Sequence, residues 1–317
     1  MKTGHHARFI LLQAIRDFFR QENFTDVLTP PLVENPGMET HIHPMQVSAK
    51  NGGQNLGYLH TSPEFHMKEL LAAGFDKIFN LSYCFRDEPF SDQHRPQFLM
   101  LEWYRGASHY DDIAKDVERL YHFCHQRLLE NEVAVLEKKK FTTVTVAELF
   151  QEYCQLDILD FNQSEKLYRH IEKNFNDIPL PNFEETSWDD LFFLLFLNKI
   201  EPQLLLKNNL LIKEYPAQLA ALSRLKQSDP RVCERFEWYC CGLEMANCFG
   251  ELTDLEEQKN RFALQSSEKE KLYGYQLPEP TSFYNSLKKG LPESSGIALG
   301  VERFLKVLTG IENPFWE

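Results

Sequence analysis

Residues 85–104 read Phe-Arg-Asp-Glu-Pro-Phe-Ser-Asp-Gln-His-Arg-Pro-Gln-Phe-Leu-Met-Leu-Glu-Trp-Tyr. An apolar run from Ile78 to Phe85 stops at Arg86, a polar stretch follows, and an apolar run resumes from Phe98 to Tyr104. Runs of that length on either side of turn residues predict strand, polar loop, strand. Charged groups lie at the end of the first strand and inside the second. Charge beside a core is costly unless it is paired or used, so this hairpin is a candidate site as well as a structural unit.

The flanking sequence places the hairpin in a larger fold. Ile10, Leu11, Ile15, Phe18 and Phe19 form the stripe of an amphipathic helix over Ala7 to Gln21. Val27 to Leu32 contains Pro30 and Pro31, which suits an edge strand or an extended interface segment. Tyr58 to Thr61 reads as a short strand, and Pro63 as the first residue of a helix through Ala73. Asp111 to Glu130 is helical by periodicity, and Ser187 is the N-cap of an apolar helix running to Asn198. Strand-like residues return from Arg235 to Asp254, and a charged helix runs from about Glu256 to Tyr273. Gly296 to Gly300 then reads as a strand feeding a helix that ends near Gly310. Strands near both ends with helices between predict an α+β fold, an antiparallel β-sheet flanked by helices. The expected organisation is a single domain over 1–317 with a mostly helical insertion at about 111–230.

Composition narrows the class. The chain has 317 residues, 43% of them hydrophobic and 13% aromatic, enough to bury a core. No stretch approaches the eighteen apolar residues that cross a bilayer, and the N-terminal residues lack the apolar core of a signal peptide, so a cytoplasmic protein without membrane contact is expected. A net charge of −13 disfavours broad binding to phosphate backbones. The Lys138-Lys139-Lys140 run reads as a solvated stretch before a strand. The seven cysteines form no CxxC pair and read as reduced thiols. Zinc at Cys240, Cys241 and Cys248 is the alternative, but their spacing is not that of a finger.

Four clusters join charge to apolar strand residues: Thr61-Ser-Pro-Glu64, the hairpin itself, Glu237 to Glu251, and Gly296-x-Ala-x-Gly300-x-Glu-Arg303. Taken singly, each also fits a surface ion pair or a turn. Taken in order, they resemble the signature motifs of class II aminoacyl-tRNA synthetases over nearly the whole chain. Thr29-Pro30 resembles motif 1, the dimer-forming segment. Phe85-Arg86-Asp87-Glu88 to Glu102 resembles motif 2, and Gly300-Val-Glu302-Arg303-Phe304 resembles motif 3. That resemblance implies the class II synthetase catalytic fold, ATP as substrate, Mg2+ as cofactor and a homodimer. Arg86 and Arg303 would be catalytic, holding the α- and γ-phosphates. Asp87, Glu88, Arg95, Phe98, Glu244, Met245 and Gly300 would contribute to the nucleotide site, with Phe98 stacked on adenine. Glu237 and Glu244 would hold the magnesium, whose preference for hard oxygen ligands suits carboxylates. No protein nucleophile is required, because the substrate's own carboxylate attacks phosphorus.

Within the class, Thr61 to Glu64, Met100 to Tyr104 and Gly242 to Asp254 resemble the lysine branch. A side chain ending in an ammonium must be desolvated on binding, so its pocket needs carboxylates and a hydroxyl. Glu102, Tyr104 and Glu251 can supply them, and Glu64 can accept the second amino group. Lysyl-tRNA synthetases carry an anticodon-binding barrel before this core, and none is expected here, so tRNA binding is not expected either. The sequence most resembles the free-standing bacterial elongation factor P lysine ligases. Ser62, Pro63, Asn247 and Ala298 complete the substrate positions so implied, with Ser62 and Ala298 standing where lysyl-tRNA synthetases typically have alanine and glycine. The resemblance implies activation of (R)-β-lysine and its transfer to a lysine of elongation factor P. The rival expectations are a truncated synthetase using α-lysine, and a silent amino-acid-binding regulator. Arg95, Gln97, Cys248, Gly250 and Glu302 depart from the family pattern.

Overall fold

A computed structural model describes residues 2–91 and 94–315, and divides the chain into two compact units, 1–138 with 251–317, and 139–250. In chain order, the first unit begins with α1 (Lys2–Gln21), β1 (Thr25–Asp26), β2 (Leu32–Val33), β3 (Gln46–Ser48) and β4 (Asn55–Leu59). It continues with α2 (Glu64–Ala72), β5 (Lys77–Phe85), β6 (Gln97–Gly106) and α3 (Tyr110–Glu130). The second unit holds β7 (Phe141–Thr145), α4 (Val146–Cys154), α5 (Ser164–Asn174), α6 (Trp188–Leu195), α7 (Glu201–Leu204), β8 (Asn209–Lys213), β9 (Arg235–Cys240) and β10 (Leu243–Gly250). The chain then returns to the first unit as α8 (Leu255–Tyr273), α9 (Thr281–Gly290), β11 (Ser294–Gly300) and α10 (Val301–Thr309).

Four strands of the first unit lie in the order β1-β5-β6-β11, beside a small sheet ordered β2-β4-β3. β5, β6 and β11 are antiparallel neighbours, with Asn80 and Ala298 both registered on Glu102. β1 instead runs parallel to β5. Parallel neighbours need a long crossover, and residues 27–76 supply it. Pro30 and Pro31 end the short β1, whose extension Val27 still donates to the Phe79 carbonyl at 2.9 Å. Against the sheet lie α1 and α3. Phe19 of α1 stacks on Phe79 at 4.7 Å, and both pack with the fully buried Trp103. Burying each such ring stabilises the fold by about 1.5–3 kcal/mol. Leu99 to Tyr104 are all buried, so β6 is covered on both faces. Ends of helices follow the expected chemistry: Asp254 caps α8, and Gly274 and Gly310 take the left-handed conformation after α8 and α10.

In the second unit the strand order is β10-β9-β8-β7, antiparallel except for the β7–β8 pair. The core packs Phe150, Phe192, Ile212 and Tyr239. Ser187 caps α6 through a reciprocal bond pair with Asp190, as its sequence predicts. The helical middle holds a strand that periodicity missed, β8, because the apolar run Leu210 to Ile212 is too short to separate strand from buried helix. α9 was missed too, since Pro278 and Pro280 mark its start as a turn.

Candidate functional site

The pocket of the first unit is built on β6 and the start of α2. Alternation along β6 puts Glu102 and Tyr104 on one face and Leu101 and Trp103 on the other. Glu102 is 1% exposed. It accepts from Tyr104 Oη at 2.7 Å and from Ser62 Oγ at 2.8 Å. Burial, reinforced by the charge of Glu64, raises its pKa to about 8 against the two hydroxyls and Lys68, which lower it. Tyr104 is itself held far above the ordinary tyrosine range by burial and by Glu102. Ser62 Oγ also accepts the Glu64 backbone N–H at 3.1 Å, so one hydroxyl joins the opening of α2 to the strand. Pro63 occupies the N-cap position of α2. Ala298 of β11 stands opposite Glu102, and Gly296 stands opposite Tyr104.

Lys68 lies one helical turn beyond Glu64 and is fully buried. Its Nζ is 2.5 Å from Glu64 Oε1 and 2.5 Å from Glu251 Oε2. Burial alone would lower the lysine pKa, yet Glu251 and Glu64 push it above the ordinary value. Glu39, Ser62 and Glu64 line a recess beside this cluster. Burial and then Glu64 raise the Glu39 pKa, with Arg86 acting in the opposite direction.

The second group gathers around the hairpin loop. Arg86, at the end of β5, lays its guanidinium over the Phe98 ring with the centroid 5.1 Å away. Its Nε is buried with no hydrogen-bond partner among the described residues. Arg303 of α10 meets His94 Nε2 at 3.0 Å. Burial, with Arg303 and Arg86 as its cationic neighbours, lowers the His94 pKa, while Glu88 raises it. The two arginines and Glu88 thus share one field. Asp87 N–H donates to the His43 carbonyl at 2.7 Å, and the Arg95 guanidinium stacks on Phe90 and Phe315. Glu302 explains its own departure from aspartate: it accepts the Leu99 N–H at 3.0 Å and pairs with the buried Arg8 at 3.3 Å, tying β6, α10 and α1 together. Gly300 leaves ordinary contact distance to the Arg303 side chain.

The remaining candidates lie in the second unit. Register along β9 and β10 pairs Glu237 with Asn247 and Tyr239 with Glu244, which puts these residues on one face, with a bulge at Met245. Glu237 accepts from Arg235 Nη2 at 2.5 Å, Tyr215 Oη at 2.6 Å and Tyr239 Oη at 3.2 Å. Asn247 Oδ1 has no hydrogen-bond partner among the described residues. Magnesium takes hard oxygen donors, commonly one or two carboxylates with phosphates and water completing the shell; the register brings the Glu237 and Glu244 carboxylates to one face, where Glu237 is paired with Arg235. Among the described residues no group of three or more acids, histidines or cysteines is arranged to hold a metal ion. Gly250 also has a local reason, because a Cβ there would fall 2.5 Å from Glu234 Oε2, which pairs with Arg224 at 2.7 Å. Cys240 and Cys248 are buried thiols.

Sequence reasoning overlooked Lys68, Arg8 and His94. The signal for Lys68 was the Glu-to-Lys spacing of four inside an otherwise apolar helix face.

Residues 1–313 match the family of class II tRNA synthetases (D, K and N). A protein of Erwinia tasmaniensis named elongation factor P–(R)-β-lysine ligase is 37% identical over 302 residues, covering 94% of this chain and 88% of the relative. Proteins of the same name from Haemophilus influenzae and Pasteurella multocida are 34% and 35% identical, covering 98% and 96% of this chain and 92% and 90% of theirs. No helix among the described residues is long and apolar enough to cross a membrane. The motif order, the buried acidic pocket and these relatives agree, and the chain belongs to the class II tRNA synthetase family, in the branch of the elongation factor P–(R)-β-lysine ligases, as an ATP-dependent amino-acid ligase.

Proposed function

We propose that the chain joins (R)-β-lysine to ATP as an aminoacyl-adenylate and passes the β-lysyl group to a lysine side chain of elongation factor P. The observation that carries this reading is Glu102, a fully buried carboxylate whose direct partners among the described residues are two hydroxyls. Such a group is a receptor for a desolvated ammonium. Glu64 and Glu251 add charge for a diamino acid. The names of the relatives supply the acceptor and the β-isomer.

In the first step the substrate carboxylate oxygen attacks the α-phosphorus, and the bond to pyrophosphate breaks. Negative charge spreads over the phosphates, and Arg86 and Arg303 are the residues assigned to balance it. Phe98, now covered by the Arg86 guanidinium, offers its face to adenine once that side chain turns toward phosphate. Glu88, Asp87, Arg95, Gly300 and Met245 are assigned to the nucleotide and Asn247 to the amino acid. Magnesium, held by Glu237 and Glu244, would add positive charge for the phosphates. In the second step an uncharged lysine Nζ of the acceptor attacks the adenylate carbonyl, and AMP leaves. We also assign the chain to a cytoplasmic homodimer through the Thr29-Pro30 segment.

The test is pyrophosphate exchange driven by (R)-β-lysine, (S)-β-lysine or α-lysine. A kcat/KM at least roughly tenfold higher for (R)-β-lysine than for α-lysine supports the reading, a ratio within what pocket shape delivers. Preference for α-lysine together with charging of tRNA overturns it.

A further inference from the structure

Lys68 is a buried cation to which no step above gives a role. A fully buried ammonium is costly unless well paired, and here two carboxylates hold it, each 2.5 Å away. Both carboxylates belong to the pocket proposed for the diamino acid. We propose that Lys68 is a positioning and specificity-determining residue: its resident ammonium engages Glu64 and Glu251, and so leaves Glu102 as the carboxylate that receives the substrate's side-chain ammonium. This inference rests on the substrate reading above.

The geometry supports a division of labour. Glu64 lies on the same helix as Lys68, while Glu251 arrives from a distant part of the chain, so the lysine fixes both acids relative to α2. Without it, three acids would crowd one desolvated space, and one or more would take up a proton or turn away. Glu102 has no direct cationic partner among the described residues and touches Ser62 and Tyr104 instead. The groups acting on it are Glu64 and Lys68 from α2, Ser62 before that helix, Cys84 from β5 and Tyr104 from β6, while β11 presents the uncharged Ala298 and Glu251 acts on Lys68 and Tyr104. Glu39 lies in the field of Glu64, with Arg86 and Lys269 as its cationic neighbours. Burial raises the Glu102 pKa to about 8, so on this proposal the acid is protonated at pH 7 before the amino acid binds. An arriving ammonium then displaces that proton to solvent and leaves a carboxylate–ammonium pair. Lys68 therefore sets both where the substrate ammonium goes and how many protons leave.

Titration calorimetry of the full chain with (R)-β-lysine, in buffers of different ionisation heat at pH 7, tests this. The wild type should release about one proton per site, declining toward zero as pH rises past the pKa of about 8. Glu102→Gln should abolish the release. Lys68→Met should weaken binding by roughly tenfold or more and raise the proton count, because a further carboxylate is then protonated before the amino acid binds. A purely structural lysine would leave the proton count unchanged. Binding of (R)-β-lysine to wild type with buffer-independent heat overturns the inference, even if Lys68→Met fails to fold. So does a Lys68→Met chain with unaltered affinity and proton count. Absence of binding by any of the lysine isomers instead overturns the substrate reading itself, and this inference with it.

Discussion

Tyr104 on β6 and Gly296 on β11 are register partners, and the tyrosine ring occupies the space that a side chain at 296 would need. A Cβ at Gly296 would fall 2.1 Å from Tyr104 Cε1. The glycine therefore lets the ring lie flat across the neighbouring strand, which is the position from which its hydroxyl reaches Glu102. Gly296→Ala should displace the ring. The expected result is a KM for the amino acid raised about tenfold or more, with stability lowered by about 1–3 kcal/mol from overpacking. Steady-state kinetics and thermal unfolding of the same variant check both.

Tyr104→Phe keeps the ring and removes the donor. One of the two hydroxyls on Glu102 is lost, and a hydrogen bond to a charged group contributes about 1.5–3 kcal/mol, so kcat/KM should fall roughly 10- to 100-fold.

The pH dependence of kcat/KM follows from the sign of the Glu102 shift. Burial raises this acid to about 8, and the form that pairs with an ammonium is the ionised one. Rising pH therefore favours binding until about 8, after which the limb flattens; kcat/KM reports groups of the free enzyme. Tyr104 lowers the Glu102 pKa, so Tyr104→Phe should move that limb to higher pH. A profile flat from pH 6 to 8 in the wild type would contradict this reading.

Ala298 faces Glu102 from the adjacent strand. Ala298→Gly removes a methyl and enlarges the pocket, which should improve use of α-lysine relative to β-lysine by up to roughly tenfold. Unchanged selectivity removes Ala298 from the specificity argument.

Arg86→Lys keeps the charge but loses the planar fork and the stacking on Phe98. Pyrophosphate exchange should drop about 100- to 1000-fold in kcat, with a smaller effect on the KM for the amino acid.

Much of this architecture could be read from residue order. The hairpin around Arg86, the helix after Pro63 and the glycine-bounded strand at Gly296 declare themselves by period and punctuation. The burial of Glu102 does not: alternation puts it on the face opposite Leu101, but only the packing of other elements shows that both faces of β6 are covered. Lys68 escaped for a related reason. Its partner Glu64 is local, yet Glu251 approaches from a remote segment, and no periodicity encodes that meeting. Gly250 and Glu302, unusual against the family pattern, became intelligible once Glu234, Leu99 and Arg8 were seen around them.

The group transferred and the protein that receives it define the proposed function. The most direct measurement is the intact mass of elongation factor P after incubation with this enzyme, ATP and (R)-β-lysine. A gain of one β-lysyl group, absent without ATP and absent with Arg86→Ala, is the predicted result. An unmodified factor, alongside lysine attached to tRNA, would contradict the account.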